Sequence, residues 1–308
     1  MINSLIDLLD RLQSEEDCRE FLEAIRWNGG SAPICPHCGS QSKEHYKLTN
    51  GGHYRGLHKC KYCNKRFTVT VGTMFEGSHI PLRKWFVAIY MFLAHKKGIS
   101  SMQLHKDIAV TQKTAWFMLS RIRYNLRNIK YIIYGDVTQV DETYIGGKNK
   151  NRNAGKRLKN TRGRSLKLKT PVMGMLSNGR VYTEVIPKAS KWVLQHAINT
   201  FVPKGSTVVT DGWHGYKGLH ENYEHKVVDH HRGEYVKDHY HTNSIEGFWS
   251  QLKRGIIGVY HLVSKKHLEL YCDEFACRYN TRNIEDGQRF GVFLTIANDR
   301  LRYCDLTL

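Results

Sequence analysis

Acidic side chains are scarce in this chain: its 308 residues hold 28 Asp and Glu against 47 Lys and Arg, a formal charge of +19. Such self-repulsion is offset most directly by a polyanion, so nucleic acid is the first partner the composition suggests. Long apolar runs are missing too. Without a stretch of 18 apolar residues no membrane-spanning helix is expected, and the N-terminus carries no secretory signal pattern. The expectation is an intracellular, cytoplasmic protein with no membrane partner. Gly146-Gly147-Lys148 lacks the G-x-x-x-x-G-K-[ST] spacing of a P-loop, so it is not a phosphate-binding loop of that kind. What remains is an ordinary 41% hydrophobic content, enough for one catalytic domain with small modules attached.

Of the eight cysteines, Cys35, Cys38, Cys60 and Cys63 form two C-x-x-C pairs. Each pair puts two thiolates in a tight turn, and the residues between them suffice for a hairpin that closes both turns around one tetrahedral Zn²⁺. Gly39 and Asn64 follow the pairs, where the turn calls for a left-handed residue. A single C-x-x-C would read equally as a redox motif; two at this spacing read as a structural zinc ribbon. Phe67 to Val71 alternates as a strand leaving the second turn. Cys272, Cys277 and Cys304 read as buried thiols.

Before the ribbon, Leu5, Leu8, Leu9 and Leu12 and then Phe21, Leu22 and Ile25 recur at helical spacing. After it, Pro81 to Ala94 predicts a buried helix, and residues 100–107 and 111–123 predict a helix, a short turn and a second helix capped by Thr111. That layout suits a helix-turn-helix, with Arg121, Arg123 and Arg127 toward the end of the second helix; an ordinary helical hairpin is the rival reading.

From Tyr131 the pattern changes to strands. Segments 137–144, 171–176 and 181–186 alternate, 192–201 is helical, 207–211 and 225–229 are strands, and an amphipathic helix follows from Asn243. This order predicts an RNase H-like domain with a mixed sheet. The chain as a whole reads as multidomain α+β: helices over 1–30, a zinc ribbon over 31–77, a helical DNA-binding region over 78–130, a catalytic domain over 131–290 and a tail over 291–308. Between the first two strands, residues 148–169 carry ten Lys or Arg and no acid, a solvated loop or a nucleic-acid arm. Lys148, Lys150, Arg152, Lys156 and Arg157 are its candidate phosphate contacts, with Arg254 on the later helix.

That helix buries Ile245, Phe248, Trp249, Leu252 and Ile256 on one face and turns Glu246, Ser250 and Lys253 to another; Thr242, Asn243 or Ser244 can cap it and Gly255 lies near its end. Alone, it is a surface helix with a solvated acid and base. The topology, however, lets Glu246 converge with Asp141 and Asp211, which sit on two strands. Three carboxylates repel unless cations join them, and hard oxygen ligands select Mg²⁺ or Mn²⁺, two of which can support in-line displacement at phosphorus. Val137, Gln139, Asp141 and Thr143 share one strand face and Glu142 takes the other; alternation does not say which face is active. The histidines around His225, His230, His231, His239 and His241 read as residues of a polar connection and are assigned no role.

The motifs D-E-T-Y-I-G-G-K from Asp141, T-D-G-W-H-G-Y from Asp211 and N-S-I-E-G-F-W-S-Q-L-K-R from Asn243, behind a zinc ribbon, resemble the DDE transposases of bacterial insertion sequences. The resemblance spans nearly the whole chain. It implies Asp141, Asp211 and Glu246 as catalytic metal ligands and Lys253 as a contact to the element's DNA end. It further implies cleavage at terminal inverted repeats, joining to target DNA, at least a homodimer in the active complex, and a bacterial protein on the nucleoid when DNA-bound. A nuclease or resolvase that cuts without joining, or an inert DNA-binding descendant, are the alternatives.

Overall fold

The computed structural model describes the chain apart from residues 1, 28, 30–31, 49–55, 128–134, 148, 162–164, 230–235 and 308. Residues 1–129 with 283–308 form one compact unit, and residues 130–282 form another.

The first unit opens with α1 (Leu5–Arg11) and α2 (Glu15–Arg26). Ser14 and Asp17 close a capping box at the start of α2, each side chain taking the other's backbone N–H. Strands β1 (Tyr46–Leu48), β2 (Leu57–Lys59) and β3 (Arg66–Phe67) make a small antiparallel sheet. The strand expected over 67–71 ends at Phe67. Successive turns closed by Val71 N–H on Thr68 O and Thr73 N–H on Thr70 O bend the chain away, and Arg26 donates to the carbonyls of Val69 and Val71. Helix α3 (Leu82–Ala94) buries Trp85, Phe86, Ile89 and Leu93, with Pro81 just before its first turn. Helices α4 (Ser101–Asp107) and α5 (Gln112–Leu126) are capped by Ser100 and by the expected Thr111. The arginines of α5 depart from expectation. Arg121 and Arg123 are 4% and 1% exposed, and Arg121 donates to Leu301 O at 2.8 Å and Met74 O at 2.6 Å. These side chains hold the unit together.

The second unit is built on a mixed sheet: β4 (Val137–Gly146), β5 (Lys169–Ser177), β6 (Arg180–Val185), β7 (Thr207–Asp211) and β8 (Glu224–Val228), in the order β6-β5-β4-β7-β8. The first three pair antiparallel, and β7 and β8 add in parallel. This is the expected strand–helix succession, with α6 (Lys191–Phe201) as the crossover before β7. Alternation along β4 and β5 splits two cores. Val140, Met173 and Met175 face Leu194 and Ile198 of α6 and Tyr216. On the opposite face Ile145, Val172 and Leu176 meet Ile245, Phe248, Trp249 and Leu252 of α7 (Asn243–Gly255), with Cys272 and Phe275 of α8 (Leu268–Asn280) behind them. The edge strand β6 is covered: Asn280 accepts from Val181 N and donates to Val181 O.

Gly255 is the last residue of α7, as its place near the helix end suggests, but it does not stop the helical path. Its backbone stays helical into a π-helical turn, Ile256–Tyr260, and a Cβ there would lie 2.0 Å from Phe275, so the glycine serves the close packing of α7 on α8.

The boundary expected at residue 290 falls at 282 instead. Helices α9 (Asp286–Ile296) and α10 (Tyr303–Thr307) belong to the first unit, so 291–308 is not a separate tail. Phe290 packs on Phe21, Phe86 and Tyr90, Arg289 donates to Leu93 O, and Ala297 O takes the N–H of Met74.

Candidate metal centres and nucleic-acid interface

The ribbon cysteines converge. Ligand atoms of Cys35, Cys38, Cys60 and Cys63 all lie within 4.8 Å of one another, with Sγ pairs at 3.7 Å (Cys35–Cys63) and 3.6 Å (Cys38–Cys60). A tetrahedron of sulfurs about 2.3 Å from zinc has edges of about 3.8 Å, so the four thiolates fit the ion. Backbone N–H groups of Tyr62 and Cys63 point at the Cys60 sulfur, and Gly39 and Asn64 take φ of +72° and +60°, the left-handed turn expected after each pair. His37 and His45 sit against the carbonyls of Arg66 and Ser40.

In the other unit, Asp141 lies in β4 on the face that meets α7. Gln139 and Val209 are the last paired residues where β4 and β7 run side by side, so two positions farther on Asp141 and Asp211 lie on adjacent parallel strands. Their charges interact. Burial first, then the neighbouring charges of Glu142 and Asp211, push the Asp141 carboxyl up to about 7. That is what converging carboxylates do without a counter-charge, and an all-oxygen donor set suits Mg²⁺ or Mn²⁺. Asp211 Oδ1 also accepts from Trp213 N at 3.0 Å, so this residue makes the turn as well as facing Asp141.

Helix α7 is fixed to β4 at two points. Ile245 N donates to Gln139 Oε1 at 3.2 Å, so the cap comes from the strand; Thr242, the residue before the helix, makes no side-chain cap bond. Two residues along the same strand face, Asp141 Oδ2 accepts from Trp249 Nε1 at 3.0 Å. Gly174, opposite Asp141 on β5, makes room for the indole: a Cβ there would meet Trp249 Cζ2 at 2.5 Å. Glu246 is exposed one turn before Trp249, and Lys253 is exposed two turns after Glu246 on the same side. Among the described residues, the carboxylates do not form a group as tight as the four cysteines. Glu142 occupies the other face, where its Oε2 accepts from the buried Tyr216 hydroxyl at 2.6 Å. The alternation therefore resolves: the Asp141 face carries the helix.

Sequence reasoning missed Gln139 and the indole N–H. Gln139 had a visible signal in sharing the Asp141 face; the Trp249 bond had none, because apolar spacing records only the ring's burial.

Lys150, Arg152, Lys156 and Arg157 are exposed on the loop between β4 and β5, and Arg254 is exposed on α7; Lys148 lies outside the described residues. The loop has internal order. Asn149 and Leu158 exchange two hydrogen bonds, Arg157 donates to the carbonyls of Lys150 and Arg152, and Lys167 donates to Lys159 O, while Lys150, Arg152 and Lys156 stay exposed.

The chain thus joins a four-thiolate ribbon in one unit to a mixed sheet crossed, in the other, by a helix bearing an acid and a base. A transposase zinc-ribbon domain matches residues 13–66, and an ISXO2-like transposase domain matches residues 133–280. A protein of Halobacterium salinarum described as an uncharacterized protein in transposable element ISH50 is 32% identical over 277 residues, 86% of this chain and 90% of that one. The chain belongs to this family of ISXO2-like transposases. An uncharacterized transposase-like protein of Haemophilus influenzae is 30% identical over 107 residues, 34% of this chain and 85% of its own. Among solved structures, a Mos1 transposase paired-end complex with left transposon end aligns over 70% of this chain and 80% of that one at 11% identity and a TM-score of 0.26. A pre-cleavage Mos1 transpososome gives 11%, 70% and 79%, with a TM-score of 0.27. Among the described residues no helix is long and apolar enough to cross a membrane.

Proposed function

We propose that this transposase cuts DNA at the ends of its element and joins the freed ends to target DNA, with Asp141, Asp211 and Glu246 as its catalytic carboxylates. The observation that carries the reading is the placement of Asp141 and Asp211 on adjacent parallel strands, with a helix clamped to the Asp141 strand face. The three carboxylates would hold Mg²⁺ or Mn²⁺, which when bound supplies the Lewis acidity that activates an attacking oxygen and steadies the leaving one. Trp249 and the backbone N–H of Glu142 orient the Asp141 carboxylate, and Trp213 N–H orients that of Asp211, so each would offer its remaining lone pairs to a cation. Lys253 and Arg254 continue the exposed side of α7 as phosphate contacts, and Lys148, Lys150, Arg152, Lys156 and Arg157 give the DNA a second basic surface. Two element ends call for at least two copies of the chain in the working complex.

The test incubates purified protein and Mg²⁺ with labelled element ends and a target plasmid, beside Asp211→Ala. Joined product from the wild type alone supports the reading. Cutting without joining would make the protein a nuclease or resolvase, and binding without either reaction would make it a DNA-binding descendant.

A further inference from the structure

A cavity of about 400 Å³ opens beside the basic loop, between the end of β4, the segment leading into β5, and the chain between α7 and α8. Its character is split. Arg152, Lys167, Lys169 and Lys265 line it with no acidic residue, while Leu166, Leu262 and Val263 supply apolar wall. Leu262 is 71% exposed and Leu166 49%, unusual for leucines on a surface otherwise so basic. Just before Leu262, His261 holds φ of +60°, a conformation costly for a non-glycine residue, directly after the π-helical turn.

Phosphates account for the cations, and the deoxyriboses that join them lie along the outside of a duplex, so the backbone does not fill a recessed pocket with apolar walls. A base turned out of the helix does. Its faces are flat and apolar, its edges need a few hydrogen-bond partners, and its flanking phosphates are anionic. The cavity offers each: apolar walls, the backbone of Gly146 and Gly147 with Thr170 beside them, and a cationic rim. From this combination we infer that the cavity receives a single unstacked nucleobase of bound DNA. The inference rests on the proposed action on DNA and extends it to a site away from the carboxylates.

Its place along the DNA follows from the strand. Asp141 and Ile145 lie on the same β4 face four residues apart, about 13 Å at strand rise, and Ile145 lines the cavity. At 3.4 Å per base step, a duplex running along β4 would set the captured base about four steps from a phosphate at Asp141.

The probe is a short duplex carrying one unpaired 2-aminopurine, compared with the same duplex fully paired. No aromatic ring lines the cavity, so an entering 2-aminopurine leaves its stacking partners and brightens. Two variants alter the cavity with little threat to the fold. Gly147→Phe fills it from a position where an added Cβ meets nothing within 4 Å, and Leu262→Ser removes an exposed apolar wall. Wild-type protein should bind the bulged duplex about tenfold more tightly than the paired one, with a rise in emission. Both variants should lose that preference and that rise while binding the paired duplex as before. Equal affinity for the two duplexes, or a preference that both folded variants keep, overturns the inference while leaving DNA binding intact. Failure to bind either duplex at low salt overturns the DNA reading and this inference together.

Discussion

The indole Nε1 of Trp249 donates to Oδ2 of Asp141 at 3.0 Å, joining the helix that bears Glu246 to the strand that bears the first candidate metal ligand. A residue with 3% exposure therefore packs the core and aims a carboxylate at once. Replacing Trp249 with Phe keeps most of the ring and deletes the N–H. The expected result is a folded protein whose strand transfer is about thirtyfold slower, corresponding to about 2 kcal/mol for a hydrogen bond to a charged group. Single-turnover kinetics at saturating DNA check this, and an unchanged rate would reduce Trp249 to packing alone.

Gly174 makes that contact possible. An alanine Cβ would lie 2.5 Å and 2.8 Å from two indole carbons and 3.1 Å from Ile245 Cδ1. Gly174→Ala should destabilise the unit by about 1–3 kcal/mol, the usual range for overpacking. Combined with Trp249→Phe it should cost less than the sum of the single changes, since the smaller ring gives way. Denaturant melts of the three proteins measure this coupling.

The raised pKa of Asp141 gives a pH dependence with a definite sign. Unfolded, its carboxyl titrates near the ordinary 3.8; folded, it titrates at about 7 because burial and the charges of Glu142 and Asp211 disfavour the anion. Between these values the folded state keeps a proton that the unfolded state has lost, so stability falls as pH rises through about 4 to 7 and then levels off. The shift of about three units corresponds to roughly 4 kcal/mol as an upper bound. Metal-free protein should therefore melt at lower temperature at pH 7 than at pH 5, Asp141→Asn should flatten that slope, and added Mn²⁺ should raise the melting temperature of the wild type most at pH 7. Thermal melts across the pH series decide it.

Arg121 illustrates a charge that is structural. Its guanidinium reaches Leu301 O and Met74 O and lies 4.8 Å from the Phe117 ring centroid. Arg121→Ala should cost about 2–4 kcal/mol by leaving buried carbonyls unpaired. DNA affinity of the remaining folded protein should not change. Affinity that falls with unchanged melting temperature would return Arg121 to the DNA interface.

Local signals made much of this legible in the sequence. The turns at Cys35–Cys38 and Cys60–Cys63 announced themselves through paired thiols followed by Gly39 and Asn64, whose positive φ values are as expected. The limits of α7 were close because its apolar residues recur at 3.6, and the strands were found by alternation. What escaped depends on distant partners. The helix cap comes from Gln139, 106 residues from Ile245, and no local capping residue betrays it. Arg121 reads as an exposed cation until the carbonyl of Leu301, 180 residues away, is seen to accept its hydrogen bond. Phe290 docks with Phe21 and Phe86, so the end of the chain returns to the unit where it began, an outcome that neither periodicity nor length encodes.

In the proposed mechanism Glu246, exposed one turn before Trp249 and carried by a helix tethered to Asp141, completes a catalytic centre with Asp141 and Asp211. Glu246→Gln keeps the size and removes the charge at an exposed site, so the fold should be untouched. The decisive measurement is strand transfer of labelled element ends into a plasmid in Mg²⁺, with DNA binding measured in parallel. Binding equal to wild type with joined product reduced by about a thousandfold or more is the predicted result, the scale of losing several kcal/mol of transition-state stabilisation. Wild-type strand transfer by the Gln variant would contradict the account.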